Sequence, residues 1–215
     1  MSFIGSGDAL AIASPGSAPS GQVSLYTRSG TTWSKTGSLS QSTIVDFGLY
    51  LSYDHPLILI GGSNGNPRIY DASTLGVVAT PAPSDGDFTQ IRQLSILSGG
   101  RAAISNSLGT YYFAKSGSVW NEVIRLDRAS SSDTNYGRAV GLAGADRIVI
   151  GSGFITSTGG AFYVSYLFCS SGKIGTDCSG SCTCIYGTCN DGLSGTGLCK
   201  SCSNNTVLFL FFGAT

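Results

Sequence analysis

The residues best placed to do chemistry are seven cysteines confined to one stretch: Cys169, Cys178, Cys182, Cys184, Cys189, Cys199 and Cys202. Thiols at this density either bind a soft metal or pair as disulfides. A structural zinc site favours paired Cys-x-x-Cys knuckles separated by a longer loop. Cys199-Lys200-Ser201-Cys202 is one such pair, but Cys182-Thr183-Cys184 has a single residue between its sulfurs, which is poor knuckle geometry. Dense cysteines among glycine turns, with almost no apolar residues to form a core, suit a disulfide scaffold better. The candidates are Cys178, Cys182, Cys184, Cys189, Cys199 and Cys202. Six cysteines allow 15 pairings, and sequence leaves the choice open. Cys169 follows an apolar strand and is expected as a free thiol, or as the partner of a cysteine outside this chain. A disulfide module implies an oxidising compartment. Asn204-Asn205-Thr206 reads as an N-glycosylation site at Asn204, in agreement.

Other reactive groups are sparse. The single histidine, His55, lies between Tyr53-Asp54 and Pro56 and reads as a solvated turn residue. There is no Gly-x-Ser-x-Gly elbow to make it part of a triad. Glu122 is the only glutamate, and the aspartates are scattered, so paired carboxylates for glycosidic chemistry have little supply. Ser84-Asp85-Gly86-Asp87 lacks the alternating aspartates of a calcium loop and reads as a polar turn. Gly5-Ser6-Gly7 follows no strand and opens no helix, so it cradles no phosphate. No catalytic, cofactor-binding or metal-binding residues are assigned, and no cofactor is expected. Lys plus Arg and Asp plus Glu both number 12, giving no basic footprint for nucleic acid or an anionic membrane.

The elements carrying these residues show a repeat. Phe47-Gly48 precedes Leu57-Ile58-Leu59-Ile60, then Gly61-Gly62, then Arg68-Ile69-Tyr70. Tyr136-Gly137 precedes Arg147-Ile148-Val149-Ile150, then Gly160-Ala161-Phe162-Tyr163-Val164. Earlier, Ala9-Leu10-Ala11-Ile12-Ala13 leads to Pro15-Gly16 and Gly21-Gln22-Val23-Ser24-Leu25-Tyr26, with no Phe-Gly before it. A degenerate unit runs from Gln93–Leu97 through Arg101–Ile104 to Gly109–Phe113. Tyr26, Tyr70, Tyr112 and Tyr163 are spaced by 44, 42 and 51 residues, close to the period of a four-stranded propeller blade. The continuous apolar runs Leu57–Ile60 and Ile148–Ile150 suit inner strands covered on both faces. Trp33 and Trp120 each follow a short Gly/Ser turn and are expected to pack within blades. Helix formers are scarce and β-branched and aromatic residues common, so the fold class is all-β.

Phe47-Gly48, Tyr136-Gly137, Ser14-Pro15-Gly16 and Gly160-Ala161-Phe162-Tyr163-Val164 together resemble the FG-GAP repeat of integrin-α-type propellers. The resemblance implies an incomplete β-propeller of about three to four blade-like repeats over 1–168. The stretch Tyr186-Gly187-Thr188-Cys189-Asn190-Asp191-Gly192 through Gly195-Thr196-Gly197-Leu198-Cys199 is similar to the EGF-like modules of stabilin-type and laminin-type receptors, implying a small disulfide-rich module over 169–204. The tail 205–215 contains Val207-Leu208-Phe209-Leu210-Phe211-Phe212 and is expected to be an apolar strand or the start of a membrane span, the one membrane contact foreseen. Met1–Ser6 does not read as a signal peptide, so either the chain is cytosolic or its natural beginning lies upstream; the second is expected, because the first repeat starts late, with no Phe-Gly element before Ala9. The function implied is non-enzymatic adhesion or protein recognition, outside the cell or at its surface, with a protein or glycan ligand. A carbohydrate-active propeller is the alternative, because Gly30-Thr31-Thr32-Trp33 resembles the end of a sialidase Asp-box, with Arg28 where the Asp would stand. Such an enzyme would show convergent arginines and carboxylates in a central pocket. A truncated gene product with no independent function is the third reading. It would expose apolar edges at Ala9–Ala13 and Val207–Phe212.

Overall fold

The computed structural model describes residues 2–6, 8–17, 20–86, 88–128, 135–143, 147–156, 159–166, 173–174, 180–181, 188–189 and 199–201, with side chains from 8 to 152 within those ranges. Among the described residues the fold is all-β, and no sheet closes into a barrel. Its frame is a series of antiparallel meanders, each built from strands consecutive in the chain. The first holds β1 (Ser2–Ser6), β2 (Ala9–Ser14), β3 (Gln22–Ser29) and β4 (Thr32–Leu39). The second holds β5 (Tyr50–Asp54), β6 (Leu57–Gly61), β7 (Arg68–Asp71) and β8 (Val77–Ala79). The third holds β9 (Gln93–Leu97), β10 (Arg101–Ser105), β11 (Gly109–Ser116) and β12 (Val119–Asp127). The fourth holds β13 (Ala139–Ala143), β14 (Arg147–Thr156) and β15 (Gly159–Tyr166). By contacts the chain divides into one unit of 1–142 with 149–163 and another of 143–148 with 164–215.

The repeat tyrosines mark equivalent places. Tyr26, Tyr70, Tyr112 and Tyr163 all lie on the third strand of their sheets. A register shift recurs beside this tyrosine in the first three sheets, at Leu25/Tyr26, Ile69/Tyr70 and Tyr112/Phe113. Such irregularities sharpen the twist between a sheet's inner and outer strands. The expectation that the first unit starts late is corrected by β1, which pairs with β2 from Ser2↔Ala13 to Ser6↔Ala9. β2 is therefore an inner strand, and Ala11 and Ala13 are fully buried. The Ala9–Ala13 edge that a truncated product would expose is covered.

The sheets stack face to face, and β6 shows why its apolar run is unbroken. Successive side chains on a strand point to opposite faces. Ile58 and Ile60 join a core with Ala11, Ala13, Val23 and Leu25 of the first sheet and with Phe47. Leu57 and Leu59 join a second core with Leu94, Ile96, Ala102 and Phe113 of the third sheet. All five residues of β6 are buried, as expected for a strand covered on both faces. In the apolar run of β14, Ile148 and Ile150 are buried while Val149 is half-buried. The segments between sheets add core residues of their own: Ile44 on one side of the second sheet, Phe88 and Ile91 on the other. Phe88 sits edge-on to Tyr111 at 5.0 Å between ring centres. Burial raises the Tyr112 phenol above its ordinary pKa, the nearby Arg101 guanidinium acting the other way.

The two tryptophans part company. Each stands opposite a cation across a hairpin, Arg28↔Trp33 and Lys115↔Trp120. Trp120 is half-buried against the second core, as expected. Trp33 is 42% exposed. Its ring is covered only on one side by the Arg28 guanidinium, 5.8 Å from the ring centre, so the expectation that it packs inside a blade is corrected.

The cysteine region contributes two short ladders, β16 (Lys173–Ile174) with β17 (Gly180–Ser181), and β18 (Thr188–Cys189) with β19 (Cys199–Ser201). Among the described residues no helix is long and apolar enough to cross a membrane. The apolar segment Val207–Phe212 lies outside them.

Candidate functional site

A hollow with a partly polar wall lies where the turns enter the innermost strands. Each of these turns presents a bulky residue that plugs the core: Phe47 before β5, Ile91 before β9, Tyr136 before β13, all buried. The backbone then joins the innermost strand. Before β5 and β13 this takes three steps, and before β9 only two. The residue directly ahead of the strand is Leu49, Arg92 and Arg138 in turn. Leu49 is 41% exposed, Arg92 is half-buried and Arg138 is exposed.

Both arginines line one open cavity of about 480 Å3, with Tyr50, Ser63, Gln90 and Ile91 completing its wall. Arg92 Nη1 donates to the Tyr136 carbonyl at 2.9 Å, tying the entry to β9 to the entry to β13. Arg138 Nε donates to Asn135 Oδ1 at 2.9 Å. Both bonds orient a guanidinium through a neutral acceptor. Ser63 is fixed by its amide, which donates to the Val45 carbonyl at 2.9 Å. Gln90 has a left-handed backbone, φ 53°, but Asp46, at the same place before Phe47, has φ 55°. The strained conformation therefore belongs to the repeated turn rather than to the cavity. Among the described residues that line it, none is acidic. The arrangement can bind an anion through two planar forks and offers neutral hydrogen-bonding groups beside them.

A second hollow of about 380 Å3 lies between the first and second sheets, with Tyr26, Tyr53, His55 and Leu75 in its wall. His55 is exposed, as a solvated turn residue should be, and its Nδ1 lies 3.1 Å from the Tyr53 hydroxyl. Burial, and secondarily the Asp54 carboxylate, raise the Tyr53 phenol above its ordinary pKa.

The remaining candidates fall as follows. The Ser84–Gly86 turn is strapped to β12. Glu122 accepts from the Ser84 amide at 2.7 Å and from its hydroxyl at 3.2 Å. Asp85 takes the Arg125 guanidinium and the Tyr111 hydroxyl. Carboxylates committed in this way act as turn anchors, in line with the polar-turn reading. Among the described residues no group of three or more His, Cys, Asp or Glu could hold a metal ion. Cys169, Cys178, Cys182, Cys184, Cys202 and Asn204 lie outside the described residues. Cys189 and Cys199 are register partners across β18 and β19. Arg92 and Arg138 escaped the sequence reading because they are distant in the chain and share no motif. The signal that could have found them is their common place, one residue ahead of an innermost strand.

No protein-family model and no curated protein matches this chain.

Proposed function

We propose that this chain is a non-enzymatic recognition module of a cell-surface protein, in which FG-GAP-like propeller blades present a ligand-binding end and an EGF-like disulfide module follows. The observation that carries the reading is the cavity shared by Arg92 and Arg138 at the entry turns of successive sheets. A binding face made of turns on stacked meanders is how rigid β scaffolds present variable contacts. The bonds that Asn135 and the Tyr136 carbonyl make to the two arginines hold the guanidinia ready, which lowers the ordering cost of binding.

One observation favours the carbohydrate-active alternative: two guanidinia do converge on one cavity. That reading also asks for carboxylates there, and among the described lining residues none supplies one. The cysteine half of the proposal rests on the density of thiols and on Cys189 standing opposite Cys199, which makes that pair the first bridge to expect.

The test is secretion of the chain from cultured cells, followed by intact-mass analysis with and without thiol alkylation and by binding of the labelled protein to cells. Six blocked cysteines with Cys169 free, and saturable cell binding, are the expected results. Seven free thiols would overturn the extracellular disulfide module. Turnover of a fluorogenic glycoside panel would establish the enzyme instead.

A further inference from the structure

We infer that the first sheet docks on a second copy of this chain: the face carrying Ile12 and Trp33 is covered by the fourth sheet of the other copy, and the reverse, so that two copies close head to tail. The starting point is an apolar pair that recurs on the second strand of every meander: Leu10 and Ile12 on β2, Ile58 and Ile60 on β6, Ala102 and Ile104 on β10, Ile148 and Ile150 on β14. In the first three sheets the first member of the pair stands opposite an aromatic residue, Tyr26, Tyr70 or Phe113. Ile58 and Ile60 join the core shared with the first sheet, and Ala102 and Ile104 join the core shared with the second. The pair therefore marks the leading face of a sheet, the one turned toward its predecessor. The pairs on β6, β10 and β14 are buried, whereas Leu10 and Ile12 are only half-buried and belong to neither core. Ala11 and Ala13, which alternate with them, point the other way, into the core with Ile58 and Ile60. Leu10 and Tyr26 also reach the hollow between the first two sheets, so Ile12 and Trp33 define the leading face most cleanly.

The tryptophans mark the same face. Alternation puts Arg28 on the side of Tyr26 and Lys115 on the side of Phe113, and the residues opposite these cations are Trp33 and Trp120. Trp120 packs against the core shared with the second sheet. Trp33 holds the matching place, 42% exposed, with no sheet before it among the described residues. The matching vacancy lies on the trailing face of the fourth sheet. Val149 alternates with the buried Ile148 and Ile150, and Gly151 lies on the side of Val149. A Cβ at Gly151 would meet the Ala139 Cβ at 3.0 Å, which places Ala139 on that side too. Val149 is half-buried and Ala139 exposed. This floor of small residues is like Ala11 and Ala13, on which Ile58 and Ile60 pack. No further meander of this kind follows it among the described residues. Trp33, Ile12, Val149, Gly151 and Ala139 all belong to one compact unit. A second copy is the occupant this pattern selects, because leading faces pack on trailing faces within the chain and one of each is left over. Joining two copies at both junctions assembles four meanders from each, within the range over which such sheets close into rings. It buries apolar surface at both junctions and leaves no open face to propagate a fibre.

The test is sedimentation velocity of the full chain over a range of concentrations, with circular dichroism on each variant. A species of twice 22.1 kDa should grow in with concentration. Ile12→Arg on the leading face and Val149→Arg on the trailing face should each leave a monomer, because closure would bury an unpaired charge. Mixing the two variants should restore a dimer, at higher concentration than the unaltered chain needs, since one intact junction remains of two. That rescue also shows that both variants fold. Trp33→Gln, at an exposed position, should weaken dimerisation by about tenfold with an unaltered circular dichroism spectrum. A monomer at every concentration would overturn the inference and leave the face to a different partner. A dimer that survives Val149→Arg would overturn it too, because two leading faces would then be meeting each other. So would a Trp33→Gln protein that dimerises as tightly as the unaltered chain. Growth beyond two copies would overturn the closure. If the arginine variants fail to fold, Trp33→Gln decides, together with acrylamide quenching of the tryptophan fluorescence, which should fall as concentration rises because the junction shields Trp33; quenching independent of concentration would overturn the inference.

Discussion

The turns entering β5 and β9 perform the same task with different residues. Both plug the core with one buried side chain, Phe47 or Ile91, and both then extend the pairing of the innermost strand. The Gly48 amide donates to the Gly61 carbonyl at 3.0 Å, and the Arg92 amide donates to the Ser105 carbonyl at 2.8 Å. Gly48 does this with φ +91°, in a place where an added Cβ would meet Val23 Cγ2 at 2.9 Å and the Ala13 Cβ at 3.1 Å. Arg92 has no positive φ. Its turn is one residue shorter, so Arg92 both makes the strand-extending bond and stands directly ahead of the strand, where Leu49 stands in the other turn. The difference teaches that shortening the repeated turn by one residue lets a single position make the strand-extending bond and carry a long charged side chain, where the longer turn makes that bond from a glycine with positive φ.

The most direct way to break this comparison is Gly48→Ala. The left-handed backbone and the contact with Val23 and Ala13 together should cost about 3 kcal/mol of stability, read as a lower midpoint in urea unfolding. A change within experimental error would show that the first turn is as permissive as the second.

The tryptophan hairpins extend the comparison outward. Trp33 and Trp120 occupy matching places across from Arg28 and Lys115, yet only Trp120 packs against a core. Trp120→Ala should cost about 2 kcal/mol or more, the loss of a large half-buried ring. Trp33→Ala should cost under about 1 kcal/mol, since it gives up a one-sided contact with a guanidinium at an exposed site. Equal losses would mean that the hairpins are interchangeable and that the exposure of Trp33 carries no information about packing.

Much of the frame was legible from the residues. Tyr26, Tyr70 and Tyr112 recur because each occupies the third strand, and Leu57–Ile60 is unbroken because two sheets cover β6. What escaped has physical reasons. β1 lacks the aromatic-glycine signature, and its pairing with β2 is made by backbone groups, which leave no pattern in side-chain chemistry. Phe88 and Ile91 lie in a segment rich in turn residues, where periodicity gives no signal, and their burial comes from the neighbouring sheet. Trp33 looks like Trp120 in sequence because the local hairpin is the same; the burial that separates them is set by what stacks outside it. The Arg92–Arg138 cavity was illegible because it depends on which turns become neighbours once the sheets stack.

Arg92→Gly is also a small effect and the one that most sharpens the comparison, because it restores the repeat's residue without restoring its length. The amide bond to Ser105 does not need the side chain and should survive. The variant loses the Nη1 bond to the Tyr136 carbonyl and gains backbone freedom in the unfolded chain, which together should lower stability by only about 1 kcal/mol. The cavity should at the same time lose one of its two guanidinia, and the protein most of its saturable cell binding. Stability nearly intact with binding lost would show that the shortened turn serves the cavity rather than the core. A loss of stability close to that of Gly48→Ala would show the reverse: Arg92 would then be a strut between the entries to β9 and β13, holding the sheets together through Tyr136, and its place at the cavity wall would follow from packing alone.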